Sequence, residues 1–382
     1  MYEPVAEIDP RSRVYVEGWQ SWSDAGLASD TSSAEAKGVL AVEEPHGAAR
    51  AWFSRDVPSI RAAGGIVSAD GPVEELAAGS LADVLAAVGD RLSPGPARDV
   101  PTGWCSWYCH FEHVTAQHVA DAAASELPFE VIQIDDGWEA GIGDWLEWSP
   151  RFGDVAETCR RIRDTGRRAG IWTAPFLAGS GSALARDHRD WLLPDADAGA
   201  NWNQQLHALD LTKADVLEHL EHVFRTLAEL GFDYFKLDFL YAGALGDGYE
   251  DGLRAIRRGA GEHATLLGCG APLLPSIGLV DAMRVGPDVL AQPSHSSESS
   301  ASSIAKARAV SEARAWMNGR LWVNDPDCVV ARPAIPEREE WAAFVTGYGG
   351  LVFASDAPGE LDARGVELTR AALDDRLGRG RR

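Results

Sequence analysis

Lys236 and Asp238 stand two positions apart inside the apolar run GFDYFKLDFL, residues 231–240. Along a strand, side chains two apart share a face, so an ammonium and a carboxylate point the same way. If buried, each lowers the cost of keeping the other charged. A buried ion pair is nevertheless no better than apolar packing, so the pair reads as a catalytic carboxylate beside a substrate-binding ammonium rather than as a core salt bridge. RVGPD, residues 284–288, offers a second carboxylate: Gly286–Pro287 breaks the extended run and turns Asp288 outward. Two carboxyl groups about 5–5.5 Å apart make a retaining glycosidase, one attacking the anomeric carbon and the other protonating the departing oxygen. The adjacent acids Asp135 and Asp136, followed by Gly137 and Trp138, repel each other unless something polar engages them. Sugar hydroxyls or a metal ion would do so. Asp327 and Asp356 also fall at the ends of extended runs, and for these the expected role is to cap the following helix.

These residues need a frame. From residue 102 onward, extended apolar runs alternate with amphipathic helical ones: GWCSWYCHF (103–111), EVIQIDDGW (130–138), RAGIWTAPF (168–176), FDYFKLDFL (232–240), HATLLGCG (263–270), VDAMRVGPD (280–288), RLWVNDPD (320–327) and GLVFASD (350–356). The runs show little polar alternation, as expected of strands covered by helices. Eight such units predict a (β/α)8 barrel of the α/β class, with active residues at the C-terminal ends of its strands; a doubly wound open sheet, large for its kind, is the alternative. APLLPSIGL, between the fifth and sixth runs, is too short for a good helix, and HALDLT (207–212) adds an extended piece before the fourth. Residues 1–95 read as a small β region with a linking helix over SLADVLAAVGDRL (80–92), and 96–382 as the barrel. The Ser-rich HSSESSASS (295–303) reads as a mobile loop whose second half caps the next helix.

Composition excludes several roles. With 58 acidic against 35 basic residues the net charge is −23 over 382 residues, which disfavours nucleic acid and anionic membranes as partners. MYEPVAEIDP has no signal-peptide character, so a cytoplasmic location is expected, with homo-oligomerisation left open. The five cysteines form no CxxC pair, which argues against both a disulfide framework and a zinc site. His110 and His113 lack HxH or HExxH spacing, so no metal and no cofactor are expected. GDGYEDG (246–252) lacks a calcium-loop signature and reads as a turn before a helix. The 14 tryptophans are mostly large core residues, although indole faces also suit sugars.

GWCSWY, IDDGW, GIWTAPF, YFKLDFL, LGCGAPLLP, MRVGPD and WVNDPDC, in that order, with GWQSW at residues 18–22, resemble the α-galactosidases of glycoside hydrolase family 36, the melibiase type. The resemblance runs from about residue 101 to 330. It implies that Asp238 is the nucleophile and Asp288 the general acid and base. It implies that Lys236 holds hydroxyls and helps keep Asp238 ionised, and that Asp135 and Asp136 grip the axial O4 and the O6. Trp107, Tyr108 and Trp172 would line the pocket, Cys269 would sit against the sugar, and Gly268 and Gly270 would allow close backbone approach. Arg284 would reach a hydroxyl near O2, and Trp22 would close the wall while Trp19 packs. The substrate implied is a terminal α-galactoside such as melibiose or raffinose. An α-N-acetylgalactosaminidase, a galactosyl transglycosylase, a non-catalytic carbohydrate binder and a metal-dependent barrel hydrolase are the alternatives. Family members usually carry a larger N-terminal β-sandwich and a C-terminal β domain. They also have bulkier aromatic residues where Cys109 and His110 stand.

Overall fold

The computed structural model describes residues 1–29, 33–290 and 303–380. The stretch expected to be a mobile loop lies outside the described residues except for Ser303, whose side chain caps helix Ile304–Ala313 by accepting from the Lys306 N–H.

The N-terminal strands form two antiparallel sheets. One has the order Glu3–Glu7, Ile66–Ala69, Ser59–Ala63, Ser33–Lys37; the other is Gly26–Leu27, Arg13–Val16, Val39–Glu43, Ala49–Phe53, Glu74–Ala78. Leu40, Val42 and Trp52 face the first sheet together with Ile60 and Val67. Their strand neighbours Val39, Ala41, Ala51 and Phe53 belong instead to the core shared with the barrel. The strand Val39–Glu43 at the centre of this second sheet is therefore buried on both faces, which is why VLAV shows no polar alternation. Helix Leu81–Leu92 seals it with Val84, Leu85, Val88 and Leu92, a spacing that lines one helical face. Each of these side chains contributes roughly 1.5–3 kcal/mol on burial, so a charge at Val88 would unseat the helix.

Every one of the eight expected runs contains a strand: β1 (Gly103–Cys105), β2 (Val131–Ile134), β3 (Arg168–Thr173), β4 (Phe232–Leu237), β5 (Thr265–Gly268), β6 (Ala282–Arg284), β7 (Val323–Asp325) and β8 (Phe353–Ala354). They form one 8-stranded sheet in which β1 pairs in parallel with both β2 and β8, and each later strand pairs with the next as far as β7. The ring is completed beside β7 and β8 by Leu351 N–H donating to the Asn324 carbonyl at 2.8 Å and by a parallel bridge between Val329 and Ala354. Ser80, Thr115 and Asp154 each cap the helix that follows, and Gly231, at φ 112°, ends helix Ala214–Leu230 where a side chain would be strained. Between β5 and β6 there is only a 3-10 turn, Leu274–Ser276. The extended piece before β4 is larger than expected: Gln204–Ala208 is the middle strand of a three-stranded antiparallel sheet with Leu177–Gly179 and Ala200–Asn201. Helix Ala363–Gly380 follows β8. Among the described residues no helix is long and apolar enough to cross a membrane.

Candidate active site

The end of β4 carries the pair that sequence singled out. Lys236 is the last residue but one of the strand, and Asp238 lies one residue past its end, with its N–H on the Thr173 carbonyl of β3 at 2.8 Å. Lys236 Nζ lies 2.9 Å from Asp135 Oδ2 and 3.6 Å from Asp238 Oδ2. Trp172 Nε1–H donates to Asp238 Oδ2 at 3.0 Å, and Phe239 N–H donates to Asp238 Oδ1 at 2.8 Å. Phe239 adopts φ 51°, a left-handed conformation that a phenylalanine holds only when its surroundings impose it. Burial works against the Lys236 ammonium, but Asp135 and Asp238 outweigh it and hold its pKa well above the ordinary lysine value. Asp135 is likewise held below the usual carboxylate range despite its burial, chiefly by Lys236. It also accepts Gln133 Nε2–H at 2.7 Å, Cys105 Sγ–H at 3.2 Å and the Asp136 N–H at 3.0 Å.

The carboxyl group of Asp136 is buried and has partners of its own. Its Oδ2 accepts Trp202 Nε1–H at 2.7 Å, and its carboxyl group is hydrogen-bonded to Glu139. Burial, reinforced by the charge of Glu139, pushes the Asp136 carboxyl well above its usual range. Neither Trp202 nor Glu139 was among the residues expected from sequence. Trp202 belongs to the insertion before β4, and its only signal was an indole between two asparagines. Glu139 follows IDDGW directly and would have been found by asking which group partners the second acid.

At the end of β6, Arg284 is buried and gives its nitrogens to three carboxylates. Nη1 lies 3.0 Å from Asp288 Oδ1, Nε 3.1 Å from Asp325 Oδ2 and Nη2 2.7 Å from Asp327 Oδ1. Asp288 keeps 37% of its side chain exposed. Burial of the rest, with Asp238 and Asp135 adding to it, raises its pKa above the ordinary value against Arg284 and Lys236. Asp327 caps no helix. It is fully buried at φ 101° and accepts Tyr108 Oη–H at 2.5 Å and Val289 N–H at 2.9 Å. It thus fixes the chain just past Asp288. Asp356 also caps no helix, pairing instead with Arg332 at 2.7 Å. In both cases the carboxylate finds fixed cations and amides nearer than a helix terminus.

The remaining expected residues divide. Tyr108 is buried with its hydroxyl committed to Asp327, and it lies with Trp107 on a helical turn, Trp107–His110, after β1 has ended. Trp107 is half-buried and packs edge-on against Phe111 at 5.1 Å. Trp22 sits edge-on to Phe239 at 5.3 Å. Gly270, at φ +56°, admits this ring: a Cβ there would lie 2.8 Å from Trp22. The close approach at Gly270 is therefore by an indole, and a Cβ on Gly268 would meet Met283 at 3.1 Å. Trp19, expected to pack, is 39% exposed. Cys269 is buried, and burial followed by the charge of Asp238 pushes its thiol well up, the opposite of a reactive thiolate. His110 stacks on His118 at 3.8 Å, and His113 Nδ1 lies 3.2 Å from Arg151. Among the described residues no three His, Cys, Asp or Glu side chains gather as a metal site.

Carboxyl groups interleaved with a lysine and an arginine at the strand ends of a (β/α)8 barrel place the chain in the glycoside-hydrolase class of barrel enzymes. A family described as Melibiase matches residues 100–269. The solved α-galactosidase TtGalA of Thermus thermophilus, in complex with stachyose, is 31% identical, with TM-score 0.84 over 94% of this chain and 90% of that one. Its complex with p-nitrophenyl α-D-galactopyranoside is similar at 30% identity and TM-score 0.86, covering 97% and 87% of the two chains. The chain belongs to the melibiase family of α-galactosidases. Among curated proteins, α-galactosidase AgaA of Geobacillus stearothermophilus is 27% identical over 39% of this chain, and α-galactosidase Mel36A of Lactobacillus acidophilus is 26% identical over 43%. The matched stretches span 22% and 23% of those two proteins, about a fifth of their length.

Proposed function

We propose that this chain hydrolyses terminal α-linked galactose from oligosaccharides of the melibiose and raffinose type, with retention at the anomeric carbon. The observation that carries the reading is the contrast between two carboxyl groups, one at the end of β4 and one past the end of β6, with β5 between them. Asp238 has both oxygens held, by Trp172 and Lys236 on one side and by the Phe239 amide on the other. Asp288 is part-exposed and has its proton affinity raised. The first is suited to a nucleophile aimed in one direction, the second to a proton donor. An Asp238 oxygen forms a bond to C1 while the glycosidic C–O bond breaks, and Asp288 gives its proton to the departing oxygen. Asp288 then takes a proton from water, whose oxygen attacks C1 and releases Asp238. Lys236, Asp135 and Asp136 hold the sugar hydroxyls, and Trp22 and Phe239 form an apolar wall. A site built to hydrogen-bond hydroxyls rejects the epimer that leaves its own groups unpaired.

Time-resolved NMR on melibiose is the test. The reading expects α-galactose as the first anomer released, and loss of activity by at least about a thousandfold in Asp238→Asn. In Asp238→Gly, azide is expected to restore turnover and yield β-galactosyl azide. First release of β-galactose, or an active asparagine variant, would overturn the mechanism.

A further inference from the structure

Asn201, Trp202, Asn203 and Gln204 make a two-residue hairpin turn, closed by the pair Asn201 and Gln204. Trp202 and Asn203 both have positive φ, 50° and 55°. Two successive left-handed residues are the type I′ turn, whose first position favours Asn, Asp or Gly. A tryptophan there is a bulky side chain in a conformation it resists, and such outliers persist where surroundings over-determine them.

The surroundings here are the proposed sugar site. Trp202 Nε1–H donates to Asp136 Oδ2 at 2.7 Å. The indole lies 6.2 Å from Trp172 and 5.1 Å from Phe239, the two residues whose N–H groups hold Asp238. One side chain from the inserted sheet thus touches both donors of one acid and supplies the donor of another.

We propose that Trp202 is a specificity-determining positioning residue: its N–H fixes one oxygen of Asp136, so that the carboxyl group meets the galactose hydroxyls in a single preset orientation. This rests on the reading that Asp136 binds the sugar. The carboxyl group of Asp136 is held between Trp202 and Glu139, which leaves it one orientation. Without the N–H, Asp136 Oδ2 in a buried setting lacks its partner and turns to find another. The turn's poor backbone conformation is then the cost of bringing an indole N–H to this oxygen.

The test separates shape from hydrogen bonding. Benzothienyl-alanine, placed at position 202 by codon suppression, keeps the ring system but replaces N–H by sulfur; Trp202→Phe removes both. Steady-state kinetics on 4-nitrophenyl α-galactoside, its 4-epimer and its 6-deoxy analogue are compared with galactose binding by calorimetry and with thermal unfolding. We expect the benzothienyl variant to raise KM and the galactose Kd by about tenfold, with kcat within about threefold and Tm lowered by no more than a few degrees. We also expect discrimination against the 4-epimer or the 6-deoxy sugar to fall by a similar factor. Wild-type KM, Kd and discrimination in that variant would overturn the proposal. If the wild-type chain binds galactose but does not turn over galactosides, the hydrolytic reading fails while the calorimetric arm still decides the role of Trp202. If it does not bind galactose, both fall.

Discussion

Arg314 Nε lies 2.9 Å from Glu17 Oε1, and both side chains are sealed from solvent although 297 residues separate them. The same guanidinium donates to the carbonyls of Ser21 at 2.6 Å, Ser23 at 2.9 Å and Val285 at 2.8 Å. One buried cation therefore ties the GWQSWS segment, which carries Trp22, to the strand end that leads to Asp288. The N-terminal region is in this way held where Trp22 packs on Phe239.

Removing one partner of a buried pair leaves an uncompensated charge, at a cost of about 3–5 kcal/mol. Arg314→Met is expected to lower the unfolding free energy by about that much and to raise KM as Trp22 loosens. Glu17→Gln should do less, because Arg314 retains its carbonyl acceptors. Chemical denaturation of the two variants measures this, and equal stability to wild type in Arg314→Met would contradict it.

Lys236 neutralises two carboxylates at once. In Lys236→Met, Asp135 and Asp238 face each other without a cation in a buried setting, so kcat/KM should fall by about a thousandfold or more, with a lower Tm. Lys236→Arg is not expected to recover activity, because a planar fork cannot take the place of a compact ammonium between two fixed acids. Retention of a tenth of wild-type activity in the methionine variant would count against this role.

Asp288 is proposed to act in its protonated form. Its pKa is raised above the ordinary value, by burial first, so the proton persists to higher pH than in a free carboxyl group and activity is lost as pH rises through that raised value. In Asp288→Asn the basic limb of the kcat/KM profile should vanish. The loss should also be larger on melibiose than on a nitrophenyl galactoside, whose leaving group needs little protonation. A basic limb unchanged in the asparagine variant would assign it to another group.

His110 and His219 have pKa values pulled down to about 4, mainly by burial, with His118 acting on the first and His188 and His222 on the second. Unfolded, each titrates near 6.5. Between these values the unfolded chain binds more protons than the folded one, so stability rises with pH across that window and falls as pH drops from about 6.5 towards 4. The double variant His110→Phe, His219→Phe should flatten this slope in denaturant titrations at pH 6.5 and 4.5, and an unaltered slope would show that other groups set it.

The chain's local chemistry announced much of this. The apolar runs and their helical partners were legible because burial and backbone hydrogen bonding act over a few neighbouring residues. For the same reason Lys236 and Asp238 could be put on one face of β4. Which acids meet which donors was decided only by closure of the barrel, which brings Asp135 of β2's end against Lys236 of β4 and folds an inserted hairpin back so that Trp202 reaches Asp136. Asp327 departs from the helix cap that its local sequence suggests for that reason: it accepts the hydroxyl of Tyr108 across 219 positions. Sequence sets the character of each side chain and its face on its own element. The partners of a buried charge are chosen in three dimensions, because withdrawing it from water is tolerable only where the whole fold supplies hydrogen bonds in return.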